Sequence, residues 1–153
     1  VRPEGLHLTL KFLGSTPEEL VPEITRELQE AMSGHRRMRL RLSGAGVFPS
    51  ERRPRVVWIG LVDSDRLIGL QKDVETAMEA LGFEPEDRPF TPHLTLGRLR
   101  SPRGSAALLK ELDSLKEEAF DEIEVQDIVL MRSELKPTGA LYHRLQRIPL
   151  GRG

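Results

Sequence analysis

The sequence contains no cysteine among its 153 residues. Disulfides and thiolate metal sites are therefore excluded, and nothing points to an oxidising compartment. There is no apolar run of membrane-spanning length and no signal peptide pattern, so no membrane partner is expected and a cytoplasmic location is predicted. Excess charge is missing too: the formal net charge is −1. A near-neutral chain is not built to hold long nucleic acid by bulk electrostatics, and a short RNA end or small nucleotide suits it better. Arginine dominates the cations, and its fork suits bidentate phosphate recognition better than lysine does. The length fits one domain with a real core.

What the sequence does hold is an alternation of helical and strand patterns. Ser15 or Thr16 is expected to cap a helix that runs to about Met32, with Pro17 in its first turn and Leu20, Ile24, Leu28 and Ala31 on its apolar side. Met38 to Leu42 alternates strictly and predicts a strand, broken by Gly44, Gly46 and Pro49. Ser50 to Pro54 is a polar basic loop. Arg55 to Val62 reads as a central strand with Trp58 as its core anchor, and Phe48 is assigned to the core rather than to a base-stacking platform. A second helix, capped by Asp63 or Ser64, is expected over Asp65–Leu81 and closed by Gly82. A third is expected over Gly104–Glu118. Two strands, Phe120–Glu134 and Ala140–Pro149, should flank a Lys136-Pro137-Thr138-Gly139 turn. His35, beside Arg36 and Arg37, is given a solvated or capping role and no chemistry.

The tetrapeptide His-Leu-Thr-Leu occurs twice, at His7–Leu10 and at His93–Leu96. Successive side chains of a strand point to opposite faces, so His7 and Thr9 share one face and Leu8, Leu10 and Phe12 the other. His93 and Thr95 divide from Leu94 and Leu96 in the same way. Each copy is then an apolar-backed strand presenting an imidazole and a hydroxyl about 7 Å apart. Lys11 falls on the His7 face and is expected to be an exposed strand lysine, with phosphate holding as the alternative. The order motif strand, helix, strand, turn, strand recurs in both halves, which implies a duplication into two similar α+β lobes.

These motifs, with Pro3–Gly14, Pro54–Gly60, Phe90–Arg98 and Leu130–Tyr142, resemble the 2H phosphoesterase superfamily. The likeness is to its RNA 2′,3′-cyclic phosphodiesterases, also called 2′-5′ RNA ligases. The resemblance implies an α+β fold with bilobal pseudo-two-fold symmetry, in which two antiparallel sheets line a central cleft and helices lie outside. It implies metal-independent opening of RNA 2′,3′-cyclic phosphate ends, or of small cyclic nucleotides, to a 2′-phosphate. His7 is implied as the acid on the leaving O3′ and His93, with Thr95, as the base, although pseudo-symmetry makes the two exchangeable. Arg98 is implied as a phosphate contact, and the first copy has Phe12 at the matching position. Weak reversible 2′-5′ joining of RNA ends is the same chemistry reversed.

The residues themselves are consistent with this assignment. Histidine exchanges protons near neutral pH, and Thr9 and Thr95 can donate to non-bridging oxygens where charge develops. Two facing histidines can also bind a metal, though no third or fourth ligand is evident. Nucleophilic attack by threonine lacks a supporting constellation. A binding module of the same fold, with little turnover, is the alternative from another class. No cofactor is expected, and the state expected is a monomer. Residues 1–153 are read as a single domain of two lobes. With six residues before His7, about one strand and one helix of the first lobe are expected to be missing on the repeat logic.

Overall fold

The computed structural model describes residues 8–62, 64–99, 103–114 and 119–152. The chain forms an α+β fold whose elements divide into two compact units. The first comprises Val1–Leu10, Arg39–Ile68 and Phe90–Ile123, and the second Lys11–Met38, Gly69–Pro89 and Glu124–Gly153. Thr9 and Thr95 thus belong to the same unit.

The first unit is built on a four-stranded sheet. Its strands β1 (Met38–Pro49), β2 (Pro54–Val62), β3 (His93–Arg98) and β4 (Ala119–Val125) lie in the order β3-β2-β1-β4. The pairs β1/β2 and β2/β3 are antiparallel. β1 does not break at its glycines, as the sequence suggested. It runs on through Gly44 and Gly46, and the irregularity becomes a register shift between Leu42 and Ala45. Gly44 takes a φ of 75° there, a conformation glycine adopts without steric cost, so the strand bulges instead of ending. Ala45 and Val57 on one face of the sheet form a core cluster with Leu112, and Val47, Ile59, Leu96, Leu99 and Leu108 pack around them. Leu108 and Leu112 come from helix α3 (Ser105–Ser114), so this helix covers that face. The expected end of α3 at Glu118 lies outside the described residues.

In the second unit, helix α1 (Val21–Met32) buries Ile24, Leu28 and Met32 and packs against β6 (Gly139–Pro149), whose Ile148 is buried. The expected Ser15 or Thr16 cap does not form. A 3₁₀ turn, Glu18–Leu20, precedes the helix, and Leu20 occupies the N-cap without a side-chain hydrogen bond. The Thr16 hydroxyl donates instead to the Gly14 carbonyl at 3.1 Å. Proline stands within the first helical turn, where its missing N–H reduces the need for a cap. Strand β5 (Asp127–Lys136) pairs with β6 in a two-stranded antiparallel sheet. The single strand expected over Phe120–Glu134 is therefore two, β4 and β5, divided at Gln126. Lys136 pairs with Gly139 across the Pro137-Thr138 turn.

Helix α2 (Asp65–Ala80) continues from the first unit into the second. Its stripe of Leu67, Leu70, Val74 and Met78 is buried, as its helical spacing predicts. It closes with Gly82 at φ 97°. The Phe83 N–H bonds the Met78 carbonyl and the Gly82 N–H the Glu79 carbonyl, the paired bonds of a Schellman stop. No helix among the described residues is long and apolar enough to cross a membrane.

Candidate active site

The second motif copy forms β3, held on one side by β2. Gly60 stands opposite His93 and Trp58 opposite Thr95, so His93, Thr95, Trp58 and Gly60 occupy one face. This is the opposite face from the α3-covered core. The Leu61 N–H to the Pro92 carbonyl (3.3 Å) and the Leu99 N–H to the Arg55 carbonyl (2.7 Å) hold the chain beyond both ends of the strand.

Between Thr95 and Gly97 the ladder slips. Trp58 pairs with Thr95 but the preceding Val57 pairs with Gly97, leaving Leu96 as the extra residue of a bulge. Leu96 packs against the core cluster. The slip brings the Cα of Arg98 opposite Val56, two positions along β2 from Trp58. An uninterrupted ladder would have set Gly97 there. Arg98 lies within β3, and its side chain is outside the described set.

His93 is positioned by three neighbours. Its Nδ1 lies 2.6 Å from the Thr91 carbonyl oxygen. A carbonyl only accepts, so Nδ1 carries a proton and donates it, which leaves Nε2 as the nitrogen open to proton exchange. Pro92 follows Thr91 and restricts it to extended backbone, which helps to fix that carbonyl. The Phe48 ring stands 5.1 Å from the imidazole at 71°, and the Trp58 indole 6.2 Å away at 59°. Phe48 and Trp58 in turn stack at 5.4 Å. The indole lies across Gly46 so closely that a Cβ there would come within 2.4 Å of Trp58 Cζ2, so this aromatic wall requires a glycine on β1.

Phe48 is therefore not the core residue the sequence suggested. It is 36% exposed and stands beside the motif imidazole. Trp58 is only partly buried and serves the same wall. Thr91 and the aromatic pair were missed as site residues. The Thr-Pro-His order was the available signal for Thr91, whereas the wall depends on cross-strand register.

The first motif copy differs. His7 lies outside the described residues. Thr9 is half-buried, and no strand forms across the described residues 8–13. The expected alternation fails beyond Leu10. Lys11, taken as an exposed lysine, has a side chain only 3% exposed that pairs with Glu75 Oε1 at 2.9 Å and donates to the Glu84 carbonyl at 2.8 Å. Phe12, assigned to the apolar back, is 76% exposed. A buried ammonium needs its partners close, and both lie on the chain after Gly69, a pairing that local sequence cannot show.

The other histidines have carboxylate partners: His35 Nε2 lies 2.6 Å from Asp73, and His143 Nε2 lies 3.2 Å from Glu134. Among the described residues no three His, Asp or Glu side chains stand together as a metal site.

The chain is similar to known proteins over most of its length. Residues 1–137 match the family model described as the 2′-5′ RNA ligase superfamily. A protein of Methanothermobacter thermautotrophicus named RNA 2′,3′-cyclic phosphodiesterase is 36% identical over 93% of this chain and 77% of its own length. One of the same name from Aeropyrum pernix is 36% identical over 97% of this chain and 84% of its own. The crystal structure of TT0787 of Thermus thermophilus superposes with a TM-score of 0.81 at 32% identity, covering 99% of this chain and 81% of that one. E. coli LigT complexed with 3′-AMP superposes with a TM-score of 0.72 at 26% identity, covering 98% of this chain and 79% of the other.

Proposed function

The chain belongs to the 2′-5′ RNA ligase superfamily, and from that premise we propose that it is an RNA 2′,3′-cyclic phosphodiesterase worked by its two motif histidines. Residues 1–153 then serve as one catalytic domain that acts on RNA ends carrying a 2′,3′-cyclic phosphate.

In this reading His93 Nε2 takes a proton from water as the water oxygen attacks phosphorus. The P–O3′ bond breaks, and His7 supplies a proton to the departing O3′. The product carries a 2′-phosphate and a free 3′-hydroxyl. Attack and departure are roughly in line, which assigns acid and base to opposite sides of the phosphorus. Thr9, Thr95 and Arg98 hold the non-bridging oxygens, where negative charge grows in the transition state. When the 5′-hydroxyl of another RNA takes the place of water, the same steps give a 2′-5′ linkage without ATP, as a weak side reaction.

The observation that carries this reading is the His93–Thr91 contact. With Nδ1 donating to that carbonyl, Nε2 is the nitrogen open to proton exchange on the face shared with Thr95, which supports a base role for His93. The similarly named relatives support the substrate class. Chromatography of the products from an oligonucleotide ending in a 2′,3′-cyclic phosphate tests it. A 2′-phosphate is expected, with activity surviving exhaustive EDTA treatment. A 3′-phosphate alone would assign the acid to the wrong ribose oxygen. Loss in EDTA, with recovery on adding a divalent ion, would replace the metal-free mechanism.

A further inference from the structure

The β1–β2 hairpin carries features whose chemistry goes beyond holding His93 in place. Next to its connection stands Phe48, a part-exposed ring 5.1 Å from the His93 imidazole. That connection holds Arg52 and Arg53, both exposed. Neither guanidinium has an ion-pair partner among the described residues, and the Arg53 backbone N–H is tied to the Ser50 hydroxyl at 3.3 Å. Glu51, the acid of this loop, lines a groove with Trp58, Leu109, Leu112 and Asp113. The connection therefore presents two cations in a chain of net charge −1. Four residues of chain span at most about 14 Å, so Arg52 stays within that distance of Phe48.

From this arrangement we infer that the hairpin is the RNA-strand-binding element of the enzyme: Phe48 stacks the terminal base, and Arg52 and Arg53 hold the phosphates that precede it. The inference rests on the phosphodiesterase reading and adds to it the element that grips the strand behind the cyclic phosphate. A flat ring accepts any base, because every base has a π-face, so the selection is for a strand and not for a sequence. Single-stranded RNA is commonly held in this way, with bases on aromatic rings and the backbone on cations.

Three substrates separate the parts: methyl ribose 2′,3′-cyclic phosphate without a base, a cyclic mononucleotide, and a tetranucleotide with a cyclic phosphate end. The wild type should favour the tetranucleotide over the mononucleotide by about tenfold or more in kcat/KM. In an Arg52→Ala/Arg53→Ala double variant that ratio should fall about tenfold. The dependence of log KM on log salt for the tetranucleotide should flatten by about 1.4, the value for two single-strand phosphate contacts. In Phe48→Leu the preference for the mononucleotide over the base-free compound should fall about tenfold, within the range of one lost stack. Phe48→Tyr keeps a flat ring and should restore it, which separates stacking from a folding defect. Equal wild-type kcat/KM for mononucleotide and tetranucleotide would overturn the inference while leaving the hydrolytic activity intact.

Binding gives a second readout, because Trp58 is the only tryptophan and lies against Phe48. A tetranucleotide ending in a 2′-phosphate should change its fluorescence, with about tenfold weaker binding in the arginine double variant. If no cyclic phosphate is hydrolysed but this difference in binding persists, the hairpin assignment stands and the hydrolytic reading fails. Equal binding by wild type and double variant would overturn the assignment.

Discussion

The two His-Leu-Thr-Leu copies share four residues and differ in almost everything around them. The second is a strand against β2, with Trp58 and Gly60 opposite its Thr95 and His93. In the first, no strand forms across the described residues 8–13. The chain there is held by a buried Lys11–Glu75 pair. A strand-forming tetrapeptide thus becomes a strand where a partner supplies the backbone hydrogen bonds. The residues after each copy diverge accordingly. Past Thr95 a bulge shifts the register so that Arg98 stands opposite Val56. Past Thr9 a lysine is buried and a phenylalanine faces solvent.

The comparison breaks first at the histidines. His7→Ala and His93→Ala should each lower kcat by about 10²–10⁴-fold, the usual range for losing a general acid or base, with thermal unfolding little changed. A copy whose histidine can be removed without such a loss is not part of the reaction. Next come the hydroxyls. Thr95→Val and Thr9→Val should each cost about 10²-fold in kcat by removing a transition-state donor, read by steady-state kinetics on a cyclic mononucleotide. A large effect at Thr95 and none at Thr9 would make the copies unequal partners.

The surroundings sharpen the contrast in stability. Gly46→Ala should cost about 1–3 kcal/mol, because its Cβ would drive into the Trp58 ring. Lys11→Met should also cost about 1–3 kcal/mol, since Glu75 and the Glu84 carbonyl lose their donor. Phe12→Ser should change stability by less than about 0.5 kcal/mol, as the ring is exposed. Urea unfolding measures all three, and a cost at Phe12 equal to that at Lys11 would restore the regular strand that simple alternation suggested.

Much of this was legible in the sequence where a local pattern dictates the answer. The stripe Leu67, Leu70, Val74, Met78 is buried as its helical spacing requires, and Gly82 stops that helix in the left-handed conformation only glycine adopts freely. Repetition singled out His93 and Thr95, which the structure places on one face. What was not legible depends on partners distant in sequence. Gly44 and Gly46 look like strand breakers. The first instead sits in a bulge set by register with β2, and the second makes room for Trp58. Phe48 looks like a core residue until its neighbour across the sheet is known to be Trp58 and its next neighbour the imidazole. Lys11 looks exposed because Glu75 lies 64 residues away. A register slip moves side chains between faces without altering the local sequence pattern.

Whether both copies act on one phosphate is read from a double-mutant cycle. Groups that act as a unit are grossly non-additive. The His7→Ala/His93→Ala enzyme should therefore turn over a cyclic phosphate end no more than about threefold more slowly than the worse single variant. If the two losses multiplied, or if either single variant kept near-normal turnover, the histidines would not be working as a pair.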